Sequence, residues 1–217
     1  MTNPMRHTIA KTLLDLKAVV LSPQKPFTWA SGLRSPIYCD NRLIISDVEA
    51  RQQVIEAFLT HVDTLPEKPG LVAGCATAGI PHAAWLADRL RVPMVYVRSS
   101  QKAHGKQNRI EGRIPQGASA LVIEDLISTG GSSIAAAECL RETGTRVIEV
   151  TSVFQYGLEK AKRQFAQANL SFQSLTGLNT LIEVAVAANY LSGDDLSLLR
   201  DWQKDPKAWS DQHGSPN

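Results

Sequence analysis

The run "ALVIEDLISTGGSSIAAAECLRETG", residues 120–144, sets two adjacent carboxylates, Glu124 and Asp125, behind four apolar residues and just ahead of a small-residue loop. That order reads as strand, turn and helix. In an open α/β sheet, ligands lie outside the carboxyl ends of the strands, where these acids sit. The loop "STGGSS" (128–133) lets successive N–H groups converge, and a helix N-terminus adds positive potential, so the loop suits a phosphate. Carboxylates beside that cradle would repel the phosphate itself. They suit another part of the same ligand: sugar hydroxyls, or a metal. The segment therefore reads as a ribose-5-phosphate socket, with the phosphate on the loop and the 2′- and 3′-hydroxyls on the acids. It is neither a Walker loop nor a GxGxxG fingerprint. A plain helix-capping turn after an acidic strand end is the competing reading, and the acid pair joined to "STGG" favours the socket.

The elements that must hold this socket follow from periodicity. Residues 6–20 predict an amphipathic helix, and 27–45 a turn-rich stretch with short β-like pieces. Residues 46–62 predict a helix with Ser46 as N-cap and Glu49 completing a capping box. Strands are expected at 70–76, 92–99, 118–125 and 146–154, with an edge strand at 170–175. Helices separate them, at "GIPHAAWLADRL", at 132–143 and at "LEKAKRQFAQA", and the end of the chain is helical. Segment 100–117 is polar and basic, with no apolar period. Continuous apolar strands alternating with helices imply an α/β fold: a doubly wound, mainly parallel sheet covered on both faces. The early β-like pieces do not fit this alternation. They suggest a small N-terminal hood, formed mainly by about 1–45 with C-terminal elements, on a single domain spanning 1–217.

Composition narrows the function classes. The chain has 217 residues, 43% hydrophobic, enough for one sizeable core. A net charge of +2 with 20% charged residues gives no strong pull toward nucleic acid or membrane. No apolar h-region or membrane-length span is read, and Cys39, Cys75 and Cys139 are widely spaced, so a cytoplasmic protein without disulfides is expected. His7 and His61 read as surface residues, His82 as packing, and the four tryptophans as core or interface anchors.

"VIEDLISTGGSS" resembles the ribose-phosphate motif of the type I phosphoribosyltransferases. "FTWASGLRSPIYCDNR", "CATAGIPHAAWLAD" and "YVRSSQKAHGKQNRIEG" resemble the orotate branch of that family, in the form common in Gram-positive bacteria. The resemblance spans roughly residues 10–190. It implies the type I phosphoribosyltransferase fold, and transfer of the 5-phosphoribosyl group from phosphoribosyl pyrophosphate to orotate. It also implies Mg²⁺ carried on substrate oxygens rather than by protein ligands, and a homodimer. Carried over residue by residue, it assigns phosphoribosyl pyrophosphate to Arg98, Lys102, His104, Glu124, Asp125, Leu126, Ile127, Ser128, Thr129, Gly130, Gly131 and Ser132. Lys102, His104 and Asp125 are the implied catalytic groups, with the loop of Lys102 and His104 reaching the neighbouring subunit's site. Residues 76–79 open a second helix in an anion-binding geometry, which the family uses for pyrophosphate.

A loose transition state would place positive charge on the sugar and negative charge on the leaving group. Cations and Mg²⁺ would face the pyrophosphate, and acids the ribose. For orotate the candidates are Ser128, the Ser31–Gly32 turn with its exposed backbone groups, and the ring of Phe27. Three positions depart from another branch of the family. Ala30 and Ala78 stand where that branch has lysines, and Gln155 and Tyr156 where it has an orotate-contacting arginine. The orotate carboxylate is thus left without an obvious cationic partner. A purine-base transferase and a non-catalytic phosphoribosyl-pyrophosphate sensor are the alternative functions. The segments "SGLRSP" and "KAHGKQNRIEG" argue against the first, and the missing recognition helix against the second.

Overall fold

The computed structural model describes residues 4–29, 31–99 and 109–213. Lys102, His104 and Lys106 lie outside the described residues. The centre is a sheet of six strands: β5 (Leu71–Cys75), β6 (Met94–Val97), β7 (Ile110–Glu111), β8 (Ser119–Ile127), β9 (Arg146–Gln155) and β10 (Phe172–Gly177). Their spatial order is β10-β9-β8-β5-β6-β7. All neighbours are parallel except β6 and β7. Burial explains the parallel arrangement. Ala120, Leu121, Val122 and Ile123 are each fully buried, as a strand covered on both faces must be. Leu121 and Ile123 join one core with α1 (Pro4–Asp15), α2 (Val48–Val62), α3 (Gly79–Leu90) and α6 (Leu178–Ala187). Ala120 and Val122 join the other, with α4 (Gly131–Arg141) and α5 (Glu159–Gln167). Alternate residues of one strand thus face opposite helical layers.

The chain leaves β5 toward β6 on one side and later returns to β8 on the other. The carboxyl ends of β5 and β8 therefore flank a topological switch point, where the crevice of a doubly wound sheet opens.

Two small antiparallel pairs stand apart from this sheet: β1 (Val19–Leu21) with β4 (Ile37–Cys39), and β2 (Phe27–Thr28) with β3 (Arg34–Ser35). Helices α7 (Gly193–Lys204) and α8 (Pro206–Gln212) complete this hood. Ser210 Oγ accepts the Arg34 N–H at 2.9 Å, and Trp202, fully buried, meets Trp29 edge-on at 5.9 Å.

Several boundaries differ from the sequence expectation. The first helix ends at Asp15, because Lys17 takes a left-handed φ of 56° and Val19–Leu21 pairs as a strand. That helix packs on α6 and β10, so it covers the main sheet rather than building the hood. The cap of α2 is Asp47, whose side chain accepts from the Ala50 N–H; Ser46 instead closes a 3-10 helix at Asn41–Ile45. Strand β8 runs to Ile127, two residues past the expected end at 125, so the acids lie within it rather than at its last two positions. Segment 100–117 contains β7, too short to show any period.

Candidate functional site

Glu124 is 6% exposed at the carboxyl end of β8. Ser132 Oγ and Ser133 Oγ donate to its Oε2 at 3.3 and 3.1 Å, and the Asp125 N–H donates to its Oε1 at 3.2 Å. Burial, reinforced by the charge of Asp125, pushes the Glu124 carboxyl up to about 8. Asp125 is half-buried and more open. The two acids therefore differ: Glu124 is anchored from the loop behind it, while Asp125 lines the crevice edge.

Helix α4 begins in the small-residue loop. Gly130 takes a φ of +87°, and among the described residues no side chain caps the helix start. A Cβ on Gly130 would strike the Phe165 ring at 2.6 Å, so this turn needs glycine. At Gly131 a Cβ would meet nothing within 4 Å, so open space lies over the first turn. The uncapped N–H groups and the exposed Gly131 and Ser132 make an open helix start of the kind that suits an anion. The hydroxyl of Ser132 is turned to Glu124, which leaves its backbone N–H for an anion. Ser128 and Thr129 are half-buried in the same loop. Ile127 is buried in the core on the α4 side, and Leu126 packs against the other, so both offer backbone to the crevice rather than side chains.

Across the switch point, β5 ends at Cys75 and the loop 76–78 enters α3. The Ala76–Thr77 peptide is cis. Ala76, Thr77, Ile80, Tyr96, Arg98, Ser99 and Glu111 line a cleft of about 550 Å³. Arg98 follows directly on β6, and its backbone and that of Arg109 are tied, Arg98 N–H to Arg109 O at 2.9 Å. One guanidinium nitrogen of Arg98 lies 3.7 Å from Glu111 and is buried without a hydrogen-bond partner among the described residues. A rigid cation with an unused donor beside a large cleft suits a multiply charged oxyanion.

Residues 45–173 match the phosphoribosyl transferase domain family. The chain is 51% identical to the orotate phosphoribosyltransferase of Enterococcus faecalis, over 93% of this chain and 96% of that one. It is 51% identical to the orotate phosphoribosyltransferase of Bacillus caldolyticus, over 94% of this chain and 99% of that one. The crystal structure of orotate phosphoribosyltransferase from Aeropyrum pernix superposes with a TM-score of 0.72 and 31% identity, covering 85% of this chain and 99% of that one. The chain belongs to the orotate phosphoribosyltransferases.

In this phosphoribosyltransferase the hood closes on the acid pair from the other side. Cys39 adjoins Asp125; burial and then that carboxylate hold its thiol well above the usual range. Cys75, buried beside Glu124, is held up in the same way. Phe27, half-buried, meets the ring of the exposed Tyr38 at 5.6 Å, within the hood. Ser31 and Gly32 sit exposed in the turn between Trp29 and Leu33, with Gly32 at φ +84°. No bond among those found in the described residues joins that turn to the acids.

Tyr156 is not available as a substitute for the arginine of the other branch. It is 3% exposed, stacked on Trp29 at 5.7 Å and edge-on to Trp202 at 5.2 Å and Phe154 at 5.7 Å. Gln155 lines a separate 180 Å³ pocket with Arg6, Lys162 and Gln203.

Sequence reasoning missed two polar residues. His61 is not a free surface histidine: its Nε2 lies 2.6 Å from Oε1 of the buried Glu149. Asn41, 1% exposed, donates from Nδ2 to the Asp125 carbonyl at 2.7 Å. Asn41 falls within the segment "FTWASGLRSPIYCDNR", but nothing in local spacing joins it to a residue 84 positions away. His82 is fully buried between Phe58 and Trp85, as packing requires, and burial holds its imidazole down at about 4.

Proposed function

We infer that the protein transfers the 5-phosphoribosyl group from phosphoribosyl pyrophosphate to orotate, giving orotidine 5′-phosphate and pyrophosphate for pyrimidine biosynthesis. The observation that carries the mechanism is the end of β8: an acid pair next to the uncapped start of α4, at the switch point across which β5 leads into the loop lining the Arg98 cleft. The 5-phosphate binds the N–H groups of residues 129–132, and Asp125 with Glu124 holds the ribose hydroxyls. The pyrophosphate lies in the cleft of loop 76–78 and Arg98. As the anomeric C–O bond to pyrophosphate lengthens, Asp125 offsets the positive charge developing on the sugar. Arg98, with Lys102 and His104 supplied by the neighbouring subunit of a homodimer, stabilises the leaving oxygens. Ser128, Phe27 and the Ser31–Gly32 turn are assigned to orotate.

Among the described residues no group of three or more His, Cys, Asp or Glu could cage a metal. Two carboxylates beside a pyrophosphate cleft suit Mg²⁺, which takes substrate oxygens and keeps waters. When bound, that ion would neutralise phosphate charge. No described helix is long and apolar enough to cross a membrane, and the reading places the enzyme in the cytoplasm.

The test is spectrophotometric. Orotate absorbance should fall only when phosphoribosyl pyrophosphate and Mg²⁺ are both present, and excess chelator should stop it. Adenine, guanine and hypoxanthine should not be consumed. Turnover of a purine with none of orotate would overturn the base assignment, and undiminished rate in chelator the metal.

A further inference from the structure

Asn41 opens the 3-10 helix at Asn41–Ile45, on the hood side of the crevice. Strand β5 pairs with β8 only as far as Gly74 opposite Ile123, whereas β8 continues to Ile127. Beyond Ile123, β8 has no strand on that side, and the Asp125 carbonyl is taken up by Asn41 Nδ2 at 2.7 Å. The same residue's N–H is held by Glu124 Oε1 at 3.2 Å. Asp125 is thus fixed at both backbone groups, once from its own strand and once from the hood.

The other half of the Asn41 amide behaves differently. Its Oδ1 is buried with no hydrogen-bond partner among the described residues. A buried, unpaired acceptor is unfavourable, and an apolar side chain of similar size would fill the same space without it. Packing alone therefore does not account for the carboxamide; its donor does. Asp40, next in the chain, is separately engaged, with Arg42 Nε and its second nitrogen donating at 2.6 and 2.8 Å. The hood carries its own ion pair and reaches the core through the neutral amide beside it.

We infer that Asn41 is a positioning residue for transfer: its Nδ2–H sets the backbone of Asp125, and so the aim of the Asp125 carboxylate at the ribose. The inference rests on the phosphoribosyl-transfer reading. Wild-type turnover, measured first, tests that reading by itself.

Asparagine and aspartate have the same shape, so Asn41→Asp keeps the packing and replaces the donor with an acid. Ionised, it repels the Asp125 carbonyl; protonated, it donates an O–H to it. The titratable groups around this position are Asp125 and Glu124 on β8, Cys39, Asp40 and Arg42 on its own segment, and Tyr156 just beyond β9. They are the same in wild type and in Asn41→Ala, which adds no acid, so the alanine variant controls for their titration. The kcat of Asn41→Asp should be roughly tenfold to a hundredfold below wild type near pH 8.5, the range for a misplaced reacting geometry, and the deficit should shrink as falling pH protonates the introduced acid. Asn41→Ala, which can never donate, should lose the same factor at every pH, with the KM for orotate changed less than kcat. Circular dichroism and thermal midpoints identify any unfolded variant; if Asn41→Asp fails to fold, Asn41→Gln, which keeps the carboxamide donor, should retain more kcat than Asn41→Leu, which keeps the bulk without it. Wild-type kcat in Asn41→Asp near pH 8.5 would overturn the proposal. So would wild-type kcat in Asn41→Ala, or equal loss in the glutamine and leucine variants.

Discussion

The two adjacent acids, alike in sequence, are made unlike by their surroundings. Glu124 is buried under two serine hydroxyls, while Asp125 stands at the crevice edge. The raised carboxyl of Glu124 has a consequence for stability. Its ordinary value is 4.5 and its folded value about 8, so between those limits the folded protein binds more protons than the unfolded chain. Stability contributed by Glu124 is therefore full below about 4.5 and lost as pH rises through about 8. Glu124→Gln keeps the shape and cannot ionise. We expect the thermal midpoint of wild type to fall relative to Glu124→Gln as pH is raised from 5 to 8, by several degrees. The readout is differential scanning fluorimetry of both proteins in one buffer series, without substrate. Parallel midpoints across that range would show that Glu124 is already ionised in the folded protein. The pair itself was legible in the sequence because both acids sit on one strand beside their loop. Asn41 was not, because its role exists only after the hood folds onto a strand 84 residues later.

At the scale of elements, long apolar strands and the helices between them were legible, because burial on both faces leaves a continuous run of Ala, Leu, Val and Ile. The two-residue strands β2, β3 and β7 were not, since a pair of residues carries no period. Nor could the sequence show that Tyr156 is enclosed by Trp29, Phe154 and Trp202, which come from three separate segments. Two glycines at helix starts separate structure from function. Gly79 begins α3, where a Cβ would lie 2.5 Å from the Ile123 carbonyl and 3.3 Å from Glu124 Cα. Gly79→Ala should force the helix and β8 apart, at a cost of about 1–3 kcal/mol for overpacking, and should lower kcat because the displaced backbone carries the acids. Gly131 begins α4 with open space above it. Gly131→Ala should leave stability unchanged or raise it by up to about 1 kcal/mol, since alanine is the better helix former, while its methyl intrudes on the phosphate cradle. Urea unfolding and the KM for phosphoribosyl pyrophosphate, measured on both variants, give the comparison. An unchanged KM in Gly131→Ala would remove the 5-phosphate from the start of α4.

At the scale of the whole molecule, the described crevice holds its acids, its phosphate cradle and Arg98 within one chain. A loose transition state also needs cations over the departing pyrophosphate and exclusion of water, which we assign to Lys102 and His104 of the neighbouring subunit. If so, each active site takes residues from two chains, and a twofold dimer carries two identical composite sites. Lys102→Ala and Asp125→Asn homodimers each have two defective sites. A mixed dimer has one site with both defects and one with neither. With random exchange at equal amounts, half the dimers are mixed and half of their sites are intact, so activity should recover to roughly a quarter of wild type by this symmetry. Differently tagged chains followed by native mass spectrometry establish that exchange has taken place. With exchange established, activity that stays at the level of the parents means that Lys102 serves its own chain. Recovery toward a quarter means that the closed site exists only in the dimer, so activity should then fall on dilution below the dimer's dissociation constant.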